Sequence, residues 1–589
     1  MLGAGRGPSR ARQATRVPDS RQVAERSGIR PPGGRRSRRR WALFATLFAS
    51  VLACALAACG NGERRPPTAQ ASPRPARPTF RLVALTDLNG YLEPCGCQSR
   101  PLGGIDKAAA QLKAIGEDGV PTLFVSAGSL LFGAHTAGEH GASAAGTEQG
   151  LERQEQLQAQ TLAEALARLS LVAAAPGSAD LQRGLATIEP LGKQAKLRWL
   201  GAGVEQPGAT PATSLLQDSV LWTRSGVKVG LLGAIDPRNE AGLRAPADPL
   251  AAAQRAADGL RAQGADVVVA LVASDARGAR RLAGGLKGVD FAIVGGLDSA
   301  EAPPPERVGE STLLRAARDG HGLLVVDVFR NGKGAFADAS AWSRKAERAA
   351  LQRKADELAA RVQGWERDPA ADKQLVAEQK ARLLQLQEEL VALGGAPRID
   401  GNAFSARFVE LGPEVKDDPE LSALLQAHDL RVNQANKQAL ADVKPLPVPK
   451  GAPGYVGSAR CGECHEQAHA WWREHEHGRA YATLEERNKQ YSLSCVGCHV
   501  TGYGKPGGAA VVQNAGLTDV GCESCHGPGS LHAEDPDVDE AKNVSLVVAE
   551  PVCTACHNEE HSDRFEYATY RAKLIVPGHG KPAKGAKAQ

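Results

Sequence analysis

A chain of 589 residues has room for two or more domains. Its net charge is only +5, from 71 Lys and Arg against 66 Asp and Glu, and much of the excess lies in the first 40 residues; no nucleic-acid partner is expected. The 12 cysteines fall into small local sets, and no set resembles a disulfide framework, which excludes a small disulfide-stapled class.

At the N-terminus, a dense Arg series ends at Arg35-Arg36-Ser37-Arg38-Arg39-Arg40. It directly precedes Trp41 to Ala58, an apolar stretch without charge. Basic, then apolar, then small residues is the order of a secretory signal. The stretch ends Leu56-Ala57-Ala58-Cys59, which matches the bacterial lipobox and makes Cys59 the expected lipidation site, with Cys54 a poorer second candidate. A plain cleaved signal and an uncleaved anchor are the alternatives, and about 18 apolar residues are marginal for a span. Residues 1–59 are therefore read as basic region and lipoprotein signal. Residues 60–79, rich in Pro, Arg, Ala and Thr, are read as a flexible tether. This places the protein in the periplasm or cell envelope, held to a membrane by its lipid, with the outer membrane favoured.

From Phe80 to Phe329, short apolar runs alternate with Ala-rich helical runs. Strands are predicted at 80–85, 122–126, 227–232, 266–271, 291–294 and 323–328, and helices at 104–116, 152–171 and 247–263. The rhythm is that of an α/β domain with a largely buried sheet. The loops after the strands read Thr86-Asp87-Leu88-Asn89-Gly90, Gly103-Gly104-Ile105, Ser126-Ala127-Gly128-Ser129, Gly177-Ser178-Ala179-Asp180 and Gly295-Gly296-Leu297-Asp298-Ser299. In this order they resemble the metallophosphoesterase domain of the 5′-nucleotidase family, over roughly 80–330. The resemblance implies an α/β sandwich, but not the family's two-metal site. Asn89 stands where that family has a metal-binding His, Ser129 where it has Asp, Ser178-Ala179-Asp180 where it has Asn-His-Glu, and Ser274, Leu297 and Ser299 where it has further His ligands, the last two in Gly296-Leu297-Asp298-Ser299. The histidines between 80 and 330 are His135, His140 and His321, none in a matching motif. The fold is expected to persist without its metals, as a binding or docking module rather than a phosphoesterase. Just past the first degenerate loop lies Cys95-Gly96-Cys97. These thiols read as inert or disulfide-bonded, as a redox pair serving the C-terminal region, or as ligands for a soft metal.

Residues 343–394 carry Leu351, Ala355, Leu358, Val362 and Trp365, then, after Asp368-Pro369, Val376, Leu383, Leu386, Leu390 and Leu393. Two heptad segments with a break predict a helical hairpin. Residues 395–442 read as one more strand (404–408) and a helix from Pro419, completing the N-terminal domain. Residues 443–454, with four Pro, read as a semi-rigid spacer.

The last domain, 455–589, holds four copies of Cys-x-x-Cys-His: Cys461 to His465, Cys495 to His499, Cys522 to His526 and Cys553 to His557. The motif is that of c-type haem attachment, with two thiols bonded to the haem and the adjacent His as proximal iron ligand. Disulfides or zinc are the alternatives, but neither explains a His after every second Cys. Four covalent haems are expected, on Cys461, Cys464, Cys495, Cys498, Cys522, Cys525, Cys553 and Cys556, with His465, His499, His526 and His557 as proximal ligands. Six more histidines follow His465: His469, His475, His477, His532, His561 and His579. Only 97 residues run from the first motif to the last, so the haems must pack closely and form the core themselves.

The stretches Tyr455-Val456-Gly457-Ser458, Trp472 with His477-Gly478-Arg479-Ala480, and above all Cys522 to His532 resemble the tetrahaem cytochrome c family of hydroxylamine-linked electron carriers. The resemblance covers about 455–580 and implies a mostly helical, loop-rich fold, with His477, His532 and His579 as distal ligands. The fourth haem is left to His561, His469 or His475, or to an open site. The chain is thus expected to be an exported carrier of electrons between redox partner proteins. The alternative is a haem-dependent oxidoreductase acting on a small nitrogen or sulfur compound at one open haem.

Overall fold

The computed structural model of the chain describes residues 77–94, 99–133, 147–210, 214–235, 243–296, 302–367, 373–392, 401–535, 543–558 and 561–574. Cys59, Cys95, Cys97, Asp298, Ser299, His135, His140 and His579 lie outside them.

The strands are β1 Phe80–Thr86, β2 Thr122–Gly128, β3 Ala173–Pro176, β4 Arg198–Leu200, β5 Leu216–Gln217, β6 Ser219–Arg224, β7 Val227–Ile235, β8 Val267–Ala273, β9 Phe291–Gly295, β10 Glu306–Val308, β11 Ser311–Arg315, β12 Gly322–Phe329, β13 Ala337–Asp338 and β14 Ala403–Glu410. They form two mixed sheets, ordered β13-β14-β12-β1-β2-β3-β4-β5 and β10-β11-β9-β8-β7-β6. Strands β1 to β5 run parallel, in register Arg81 with Thr122 and Val125 with Ala173, and β12 returns antiparallel beside β1. The strands that sequence alone picks out are mostly buried; β1, β8 and β12 are wholly so, as continuous Val/Leu runs demand when both faces are covered. The Ala-Ala-Ala-Pro of β3 and the short β4 and β5 carry no such signal, yet they extend the first sheet.

One core fills the space between the sheets, drawing Phe80, Leu82 and Val125 from the first and Leu231, Val269 and Ile293 from the second. Phe291 meets Phe336 and Phe404 across it, with ring centroids 5.2 and 5.3 Å apart. The sheets come close at Gly295, where a Cβ would stand 2.1 Å from the Ala127 carbonyl oxygen. A second core lies outside the second sheet, between Val268, Ala270 and Val272 and the helices Pro249–Ala262 and Ala276–Gly285. Asp248 and Asp275 cap those helices, each accepting from a backbone N–H.

Helices Ile105–Gly116, Thr147–Arg168 and Leu185–Ala195 belong to the first sheet's side of the molecule. Helix Pro419–Ala439 packs on the second of these. Its start joins Pro419 at N1 with Asp418, whose carboxylate accepts from Glu420 and Leu421 N–H. The hairpin is formed by helices Ser340–Arg367 and Lys373–Ala392, with its own small core of Ala355, Leu358, Val362, Leu386 and Leu390.

The Pro-rich segment makes contact with the C-terminal region. Leu440 and Val443 pack with Tyr481, Leu493, Val496 and Val511 of the C-terminal region, and the Leu446 carbonyl accepts from Gly507 N–H at 2.7 Å. Beyond it, the chain is made of short helices and turns, with Val500 and Thr518 forming an isolated bridge. Among the described residues no helix is long and apolar enough to cross a membrane.

Candidate functional site

Each Cys-x-x-Cys-His lies on or beside a short helical turn: Ser458–Gly462, Val496–His499, Cys522–His526 and Glu550–Thr554. The turn is closed by the motif itself. His465 N–H donates to the Cys461 carbonyl and His557 N–H to that of Cys553, both at 2.9 Å. Positions i and i+3 of a helical turn share a face, which is the spacing of the two thiols in each motif. None of the eight cysteines is in a disulfide. The motifs also converge. Helix Ser458–Gly462 meets Cys522–His526, which in turn meets Glu550–Thr554. Burial, with Cys553 close by, pushes the Cys525 thiol up to about 11.

The imidazoles are oriented from behind. His499 Nδ1 lies 2.6 Å from the Ala480 carbonyl, His526 Nδ1 lies 2.6 Å from that of Ser545, and His557 Nδ1 lies 3.2 Å from Ser562 Oγ. A carbonyl can only accept, so for His499 and His526 the proton sits on Nδ1 and the Nε2 lone pair is left for a metal. Two further rings face motif histidines. His532 is 6.3 Å from His465 between centroids, and His477 is 6.1 Å from His557. A metal–imidazole bond is about 2 Å, so two axial imidazoles on one metal need centroids about 6 Å apart. The residues present therefore fit covalently attached haem. Burial pushes His477 down to about 4, which keeps it in the neutral, ligating form at neutral pH.

His469 stacks on Trp472 with centroids 5.6 Å apart, and His475 on Trp471 at 4.7 Å. His475 Nδ1 accepts from His477 N–H at 3.2 Å, so it supports the turn that carries His477. The His561 backbone N–H donates to Asn558 Oδ1, one residue after His557.

In the α/β domain, the loops that resemble a metal centre make other bonds. Asp87 Oδ1 accepts from Gly296 N–H at 2.7 Å, and Asn89 Nδ2 donates to Asp319 Oδ1 at 2.8 Å. Asp180, fully buried, accepts from the N–H groups of Leu130, Leu131 and Phe132 at 2.7, 2.8 and 3.0 Å. Burial pushes its carboxyl up to about 7 against the pull of those donors.

Sequence reasoning misses a polar seam between the two regions. Lys489, six positions before Cys495, pairs with Glu93 and lies 3.4 Å from Asp429. Burial pushes the Asp429 carboxyl up to about 7. Ser99 Oγ donates to Asp563 at 2.6 Å. Such contacts join residues far apart in the chain, up to 464 positions for Ser99 and Asp563, and leave no local pattern.

Residues 460–527 match the family described as cytochrome c554 and c-prime. The C-terminal region is similar to that family. Over 165 residues the chain is 30% identical to cytochrome c-554 of Nitrosomonas europaea, which covers 23% of this chain and 63% of that protein. The chain thus spans less than two thirds of the relative's length. Among solved structures, the chain is similar to a 5′-nucleotidase precursor from Thermus thermophilus, with 16% identity, 63% of this chain, 60% of that one and a TM-score of 0.37. It is similar also to the sulfate thiohydrolase SoxB of Thermus thermophilus (14% identity, 62% of each chain, TM-score 0.40) and the calcineurin-like phosphoesterase YfkN of Bacillus subtilis (18%, 44% of this chain, 86% of that one, TM-score 0.34).

Proposed function

We propose that the chain is an exported, lipid-anchored cytochrome with four c-type haems that carries electrons between redox partners of the cell envelope. The observation that carries this reading is the set of imidazoles facing each other about 6 Å apart beside Cys-x-x-Cys turns. In this reading the paired thiols of each motif hold a haem, and His465, His499, His526 and His557 ligate from the proximal side. His532 serves the haem of His465, and His477 that of His557; His561 and His579 are the candidates for the other two. When bound, haem supplies one-electron chemistry. The chain's own part is to orient His499, His526 and His557 through Nδ1, to keep His477 and His557 neutral by burial, and to bring the attachment turns close together.

The α/β domain serves as a docking module whose loop polar groups are engaged in holding the loops. Cys95 and Cys97 are proposed as a thiol pair communicating with the cytochrome region. Their flanks support this: Glu93 bonds Lys489 and Ser99 bonds Asp563. Replacing both cysteines should alter the reductive titration of the protein; an unchanged titration rejects the idea.

The deciding experiment is electron paramagnetic resonance of the oxidised protein, with haem and metal content measured on the same sample. Four haems per chain, all low-spin, support the carrier. A high-spin signal from about one in four transfers the reading to an oxidoreductase with an open iron. Zinc in place of haem rejects both.

A further inference from the structure

The segment Tyr491–Ser494, which leads directly into the second motif, is gripped by two buried amides of the α/β domain. Gln154, on helix Thr147–Arg168, is 6% exposed, and Asn436, on helix Pro419–Ala439, is fully buried. Gln154 Oε1 accepts from Leu493 N–H and from Asn436 Nδ2, both at 3.0 Å. Its Nε2 donates to Ser494 Oγ at 2.9 Å and Ser492 Oγ at 3.3 Å. A side-chain amide has two donors and two acceptor lone pairs, so every bond that Gln154 can make is made to this seam. Asn436 Nδ2 also donates to the Tyr491 carbonyl at 2.9 Å, and Asn433 Oδ1 accepts from Tyr491 N–H at 3.0 Å.

The grip passes into the motif. The Ser492 carbonyl accepts from Cys495 N–H at 3.1 Å and Val496 N–H at 2.9 Å, which starts helix Val496–His499. Apolar contacts follow the same line, with Leu493 and Val496 packed against Leu440 and Leu151. The helix side is glycine at 150, where a Cβ would stand 2.6 Å from Leu493 Cδ1. In the first motif, by contrast, Cys464 is exposed.

We infer that Gln154 and Asn436 are positioning residues for the haem held by Cys495, Cys498 and His499, so that the α/β domain sets the surroundings of one particular haem. The inference rests on the haem reading of this motif. A haem tied to the backbone at two thiols follows any movement of that backbone. Its reduction potential depends on burial, on hydrogen bonding and on the placement of its axial ligand. Truncating Gln154 leaves buried donors and acceptors on both sides of the seam unpaired, and water is the partner left to replace it.

The test uses the full-length haem-loaded protein. Gln154→Ala and Asn436→Asp are compared with wild type and with Leu162→Ala, a change on the same helix that is buried in the α/β core. Haem content, a redox titration and electron paramagnetic resonance are recorded for each. The expected result is that both seam variants keep wild-type haem content while one midpoint potential and one resonance signal shift, and that Leu162→Ala shifts neither. Unchanged potentials and signals in a haem-loaded Gln154→Ala or Asn436→Asp protein would overturn the inference, as would an equal shift in Leu162→Ala. Absence of haem at Cys495 and Cys498 in the wild type would reject the cytochrome reading itself, and haem analysis separates that outcome from the others.

Discussion

Asp180 shows how a residue that looks like a remnant of chemistry acts as structure. Its carboxylate holds three successive N–H groups of the loop after β2, while burial raises its pKa from the usual carboxylate range to about 7. A group whose pKa is higher in the folded state contributes stability that is fully present below about pH 4 and is lost as the pH rises through 7. For a shift of this size the change is about 4 kcal/mol at most. Asp180→Asn cannot titrate. Its deficit against wild type should therefore be largest near pH 4 and shrink towards pH 7 in denaturant unfolding; parallel pH profiles would count against this account. The imidazoles carry a second prediction at this scale. His532→Ala and His477→Ala should each turn one low-spin ferric signal high-spin, and a spectrum that stays fully low-spin would reject the pairing. The motif cysteines and histidines are legible in sequence because one fixed spacing, Cys-x-x-Cys-His, recurs four times. The pairing of His465 with His532, or of His477 with His557, is not, since nothing local links them. Gln154 has no signature at all: as a sequence letter it is one polar residue on an amphipathic helix.

At the scale of elements, strands buried on both faces and the heptads of the hairpin are plain in the sequence, because continuous Val/Leu runs and a spacing near 3.5 have few other uses. The strands that escaped are short, polar or Ala-rich, and are placed by their neighbours in the sheets rather than by their own sequence. The helix predicted from 152 begins at Thr147, which matters because Gly150 and Leu151 belong to the seam. The hairpin has a core of its own, so it should behave as a separate unit. Leu358→Ala, at 6% exposure, should cost the hairpin about 2–5 kcal/mol. Hydrogen exchange should show faster opening in 351–390 with unchanged protection in β1 and β12. Loss of protection in the sheet would refute that independence.

For the whole molecule, apolar burial is unequal. Two extensive cores serve the α/β domain, whereas the described C-terminal residues share one small cluster. A protein in which haem attachment is blocked, for example by replacing all eight motif cysteines with Ala, should lose order after about residue 455 yet keep the cooperative melting of the sheets. Limited proteolysis with calorimetry would show this. Loss of both together would mean that the sheets depend on the cytochrome region.

The grip on Tyr491–Ser494 also bears on biogenesis. Synthesis delivers residues 80–440 before the second motif, so the α/β domain has the first opportunity to fold. In the proposed reading, the machinery that joins haem to Cys495 and Cys498 has to reach both thiols, while the segment before them is held against helix Thr147–Arg168. Maturation then becomes a race between covalent loading and closure of the seam. A weakened seam should favour loading: Gln154→Ala should acquire its haems at least as fast as wild type in a pulse-labelling experiment.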